Sequence, residues 1–241
     1  GTAGSAFGAS SVGNLSPFGS SNDYTFSTWF KLPTVGSSDV IYAFYGQNTN
    51  AGLRMWFVAN TTTSITGYMK DDGQGSPSSA GSADYTTGAL AVNNVNTSWN
   101  HLLITQRGGS TYFYVNGSLA ATASSRVLLT SDNIQRGWNA HGKTAADAIY
   151  DEETMWNVGM TAAQVSALYN NAEWVNPNSL PLKDNLEGWW TYGDDANGVY
   201  APGITDDSTH NVFMNQATGT ALSSSSTVGL FRNTPADEDI E

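Results

Sequence analysis

Short apolar runs of alternating polarity, separated by stretches crowded with Gly, Ser, Thr and Asn, recur along this chain and restrict what it can fold into. A period of two residues places one set of side chains on each face of a strand, and turn-forming residues in the gaps break the chain before a helix can gather length. The stretch 23–31 (DYTFSTWFK) shows the pattern well, with Tyr24, Phe26, Thr28 and Phe30 on one face and Trp29 on the other; Pro33 ends it. Residues 40–45 and 52–60 (GLRMWFVAN) read as the next strands, the second placing Leu53, Met55 and Phe57 inward and Arg54 and Trp56 outward. Residues 63–70 continue the meander.

Residues 71–96 are rich in Gly, Ser, Ala and Asp and read as one long rim loop, a place where function concentrates. Strands follow at 98–107 (SWNHLLITQR), 111–115 (TYFYV) and 119–124, with Asn116-Gly117 marking a tight hairpin whose two turn positions need positive φ. Further strands are expected at 133–139 and 148–157. A helix is predicted from Thr161, a good N-cap, over Ala162, Ala163, Val165, Leu168 and Tyr169, stopped by Asn170-Asn171 and Pro177. Residues 186–192 (LEGWWTY) form the last strand. The expectation is an all-β fold, a two-sheet antiparallel jelly-roll sandwich with one short helix. Residues 1–241 make a single domain, 186–192 complete the same sandwich, and 234–241 are a flexible acidic tail.

Composition removes several functions. The net charge of −12, from 21 acidic and 9 basic residues, repels phosphate backbones and anionic membranes, so nucleic acid is not an expected partner. The same surface suits cations such as calcium and neutral ligands such as sugars. No cysteine is present, which removes disulfides, zinc thiolates and thiol catalysis. No apolar run reaches membrane-spanning length, so insertion is not expected.

Four segments carry a resemblance. SNDYTFSTWFK at 21–31, SWNHLLITQRGGSTYFYVNG at 98–117, IYDEETMWNVGMTAAQVSALYNN at 149–171 and LEGWWTYGDDANG through DDSTHN at 186–211 resemble, in landmarks and spacing, laminin-G-like domains of the concanavalin A-like lectin and glucanase superfamily. The Trp-Trp segment comes last here, an order similar to that of tailed-phage virion proteins. Glu153 stands where the family keeps an apolar residue. The resemblance implies that Trp29, Trp99, Trp156 and Trp189 are core, that His101 is a packed structural histidine, and that a structural calcium ion is held by Asp151 with Asp206 and Asp207.

Catalysis has little to stand on. Glycoside hydrolysis needs two carboxylates flanking the bond, which the superfamily's glucanases present as E-x-D-x-x-E on one strand, and no such run occurs. Asp151, Glu152 and Glu153 come nearest, but simple alternation sets Glu152 on the opposite face from the other two. The aromatic supply of eight Trp and eleven Tyr instead suits sugar rings, which lay a C–H face on an aromatic platform. Trp56, Tyr112, Tyr114 and Trp138 fall on outward parity or beside loops and are the expected contacts. The expected function is a non-catalytic glycan- or receptor-binding module on an extracellular or virion surface. The alternative is an architectural virion protein, a capsid decoration or fibre subunit, meeting other virion proteins.

Overall fold

The computed structural model describes residues 7–8, 23–36, 39–45, 54–70, 85–124, 133–136, 146, 148–173 and 175–190. Twelve strands and one α-helix lie within them. In chain order the strands are β1 (Phe7–Gly8), β2 (Tyr24–Lys31), β3 (Asp39–Tyr45), β4 (Arg54–Thr61), β5 (Ser64–Lys70), β6 (Tyr85–Ala91), β7 (Asn100–Arg107), β8 (Ser110–Val115), β9 (Ser118–Ala123), β10 (Asn133–Arg136), β11 (Ile149–Trp156) and β12 (Leu186–Trp190). The helix α1 spans Ala162–Tyr169. Two six-stranded sheets result, ordered β1-β10-β3-β4-β5-β6 and β12-β11-β2-β7-β8-β9, with antiparallel pairing throughout.

The period-two pattern decides which side chains meet between the sheets. Phe26, Phe30, Ile104 and Phe113 of the second sheet face Tyr42, Met55, Phe57 and Ile65 of the first, all at most 1% exposed. Their rings interlock, Phe26 on Tyr42 at 5.1 Å and Phe57 on Phe113 at 6.0 Å. Burying each such side chain contributes about 1.5–3 kcal/mol, so this layer is the main source of stability.

A second buried cluster lies on the outer face of the second sheet, where Leu103, Tyr114, Trp156, Leu186 and Trp189 meet Met160, Val165 and Leu168. Helix α1 roofs it. Thr161 and Gln164 form a capping box that starts the helix, Asn170 ends it in the left-handed region, and Val165 and Leu168 are its buried residues. Trp29, Trp156 and Trp189 are therefore buried as expected, but under the helix rather than between the sheets, whereas Trp99 is only half-buried.

Two expectations need correction. The stretch 71–96 is not one long loop, because Tyr85–Ala91 pairs with β5 as the edge strand β6. Its Thr, Gly and Ala composition hides a strand that buries only Leu90 fully. The three acids of β11 do not alternate either. Asp151 pairs with Trp29 and Thr154 with Ser27, so one extra residue is inserted as a bulge, and Glu152 takes a φ of 47°. Asp151 therefore shares the outward face of Trp29, and the Glu152 carboxylate reaches that side as well, where Oε2 accepts the Trp189 indole N–H at 2.6 Å. Glu153, two residues before the core-facing Met155, takes the inward parity of the apolar residue it replaces.

The last strand is placed as the pattern predicts. Leu186–Trp190 pairs with β11 at the edge of the second sheet, and residues 191–192 lie outside the described residues, as does the tail at 234–241.

Candidate functional site

Trp56 lies on the outer face of the first sheet, as its parity predicts. Two residues along, Val58 shares that face, and with Val40 the pair forms a small cluster on which the half-buried Tyr68 packs. The Trp56 and Tyr68 rings stack at 5.3 Å with planes 12° apart, because β4 and β5 set the two residues directly opposite each other. Trp56 is 9% exposed. Polar groups border the rings: the exposed Asn60 donates its side-chain N–H to Thr66 Oγ1 at 2.6 Å, which leaves the Asn60 Oδ1 as an acceptor on the same face. In this strip the half-buried Tyr68 ring, backed by the buried Trp56, lies beside hydrogen-bonding groups, the combination that orients polyhydroxyl ligands.

The other expected contact residues are not gathered there. Tyr112 and Tyr114 stand on the outer face of the opposite sheet, since Thr105 pairs with Tyr112 and Leu103 with Tyr114. Tyr114 is 2% exposed within the cluster under α1, so its ring is packing surface and not a contact surface. Tyr112 is half-buried and carries the Arg107 guanidinium 4.5 Å from its ring centroid. Trp138 lies outside the described residues. Sequence reasoning missed Tyr68 and Arg107. For Tyr68, the signal was its place in the hairpin partner of the Trp56 strand.

A small recess opens at the margin of α1, lined by Ser27, Trp29, His101, Glu152, Thr154 and Glu173 among others. At about 10 Å3 it admits no more than a water. His101 is 1% exposed, lies 4.8 Å from the Trp29 ring and 5.8 Å from Tyr169, and is held by desolvation at a pKa of about 3, well below the usual histidine value. It is the neutral, packed histidine that the sequence suggests.

Asp151 is fully buried, and its Oδ1 accepts the Glu152 backbone N–H at 2.9 Å. Among the described residues, no group of three or more His, Asp or Glu side chains could hold a metal ion. Asp206 and Asp207 lie outside them, so only one of the three expected calcium ligands is placed, as a hard oxygen donor on β11. Also among the described residues, no helix is long and apolar enough to cross a membrane.

Two solved structures share this architecture. The IT-sialidase CBM40 of Ruminococcus gnavus bound to α2,3-sialyllactose superposes with a TM-score of 0.50 at 13% identity, covering 69% of this chain and 93% of that one. A protein from Bacteroides ovatus described as carbohydrate-binding gives a TM-score of 0.53 at 15% identity, covering 88% of this chain and 58% of its own length. At these identities the likeness is one of fold. No curated protein matches the sequence. The laminin-G-like family model matches residues 4–166, which take in both sheets' central strands and the start of α1, and the chain belongs to the concanavalin A-like lectin/glucanases superfamily.

Proposed function

We propose that this chain is a non-catalytic glycan-binding module displayed on an external surface, of a cell or of a virion. The observation that carries the reading is the Trp56–Tyr68 stack beside Asn60 and Thr66 on the outer face of the first sheet. A sugar docks its apolar C–H face on such rings while amide and hydroxyl groups bond its hydroxyls. The likeness to structures described as carbohydrate-binding supports the same reading at the level of fold. The bulge in β11 argues against a glycosidase, because it sends Glu153 to the inward parity and ties Asp151 and Glu152 into the hydrogen bonds that hold the bulge and Trp189. A structural calcium on Asp151, completed by Asp206 or Asp207, belongs to this proposal.

A glycan-array screen followed by calorimetric titration of the best ligand tests it. Trp56→Ala and Tyr68→Ala are each expected to weaken binding by about tenfold or more while the protein stays folded. No reducing sugar should appear in the mixture. Unchanged affinity in both variants would remove the Trp56 face from consideration, and sugar release abolished by a single carboxylate substitution would make the protein an enzyme.

A further inference from the structure

We infer that the Arg107–Tyr112 pair, on the sheet opposite the Trp56 face, binds an anionic sugar substituent, carboxylate or sulfate. The inference rests on the glycan-binding reading and adds a substrate class to it. Arg107 ends β7 with outward parity, and its guanidinium lies 4.5 Å from the centroid of the half-buried Tyr112 ring. Among the described residues no carboxylate pairs with it, and its Nε is enclosed without an acceptor. A guanidinium keeps its charge at every physiological pH, and its planar fork matches the oxygens of a carboxylate or sulfate. Among the described residues the cation is held by the Tyr112 ring and by packing, which leaves its charge to be matched by a ligand.

The surroundings fix the pair in place. Met160 donates its backbone N–H to Thr105 Oγ1 at 2.8 Å and to Thr25 Oγ1 at 3.0 Å, which pins the chain across the outer face. One residue earlier, Gly159 lies so close that a Cβ there would stand 2.6 Å from Arg107 Cβ. Arg107 is thus walled on one side and stacked on the other, a preorganised donor rather than a loose surface side chain. The net charge of −12 does not forbid an anion at this spot, because repulsion from distant carboxylates is screened beyond about 8–10 Å at physiological salt while a direct pair is screened much less.

The test titrates the purified protein with a uronic-acid oligosaccharide, a sulfated oligosaccharide and the neutral parent sugar. The expected result is that at least one charged ligand binds about tenfold tighter than the neutral one, with an advantage that shrinks as salt rises. Arg107→Gln should abolish that advantage, and Arg107→Lys, which keeps the charge and loses the fork, should retain only part of it. A Trp56→Ala protein should lose affinity for the neutral sugar yet keep the Arg107-dependent preference, so the two sites fail or survive separately. Equal binding of charged and neutral sugars would overturn the inference, as would a preference that survives both Arg107 substitutions. Competition by polyglutamate as effective as that of the charged sugar would overturn it too, since the site would then recognise acidic polypeptide.

Discussion

His101 shows how a single buried side chain makes stability depend on pH. Its ring packs against both Trp29 and Tyr169 at 1% exposure, and desolvation lowers its pKa from 6.5 to about 3. In the unfolded chain the imidazole takes a proton below about pH 6.5, whereas the folded protein refuses it until about pH 3. The unfolded state therefore binds more protons throughout that window, so stability is full above pH 6.5 and falls as pH drops towards 3. The slope reaches about 1.4 kcal/mol per pH unit, or about 2 kcal/mol between pH 6.5 and 5, before most carboxylates titrate. Urea midpoints of the parent and of His101→Phe at pH 7, 6 and 5 check this. The variant should lose most of the dependence over that interval; parallel curves would mean that His101 is protonated in the folded state.

Among the elements, the β8–β9 hairpin and helix α1 depend on each other through one glycine. Gly117 has a φ of 73°, which a side chain resists, and an added Cβ would stand 2.4 Å from Tyr169 Cδ1 at the end of α1. Gly117→Ala should therefore cost both turn strain and the seating of Tyr169 over Trp29, whose rings stack at 5.6 Å. We expect a loss of about 2–3 kcal/mol, against about 1 kcal/mol for Thr161→Ala, which removes only the helix cap. Denaturant melts of both variants and the double variant measure this; strict additivity would show that turn and cap act independently. The Asn116-Gly117 turn and the Thr161 cap were readable from sequence because each is a local signal with a local cause. The bulges were not. Between Ala59 and Thr61 the register slips by one residue, and without that slip the hairpin would set Trp56 opposite Met69 instead of Tyr68. The insertion beside Glu152 likewise groups Asp151 with Glu152 and sets Glu153 apart, where plain alternation would group Asp151 with Glu153. A bulge answers to packing on neighbouring strands, so period-two counting holds up to it and fails beyond it. Strand β6 escaped for the opposite reason, since an edge strand with little to bury has no apolar pattern to show.

At the scale of the whole molecule, β12 closes the second sheet beside β11, which ties Trp189 to Glu152 and sets the last described residue, Trp190, opposite Glu153. Sheets sharing one continuous core unfold together, and one thermal transition is expected for them. Calcium enters through that same transition. An ion that binds Asp151 and one of Asp206 or Asp207 only in the folded state raises stability by mass action, about 2.7 kcal/mol when free calcium is one hundred times the dissociation constant. For a chain of this size each kcal/mol moves the midpoint by about 2–4 °C, so excess calcium should raise it by about 5–10 °C over chelator. Asp151→Asn keeps the side chain's shape and removes its charge, and its midpoint should be the same in calcium and in chelator. Substituting Asp206 and Asp207 together should have the same effect. If the parent melts at one temperature in both solutions, Asp151 is a structural acid of the β11 bulge, where its Oδ1 accepts the Glu152 N–H.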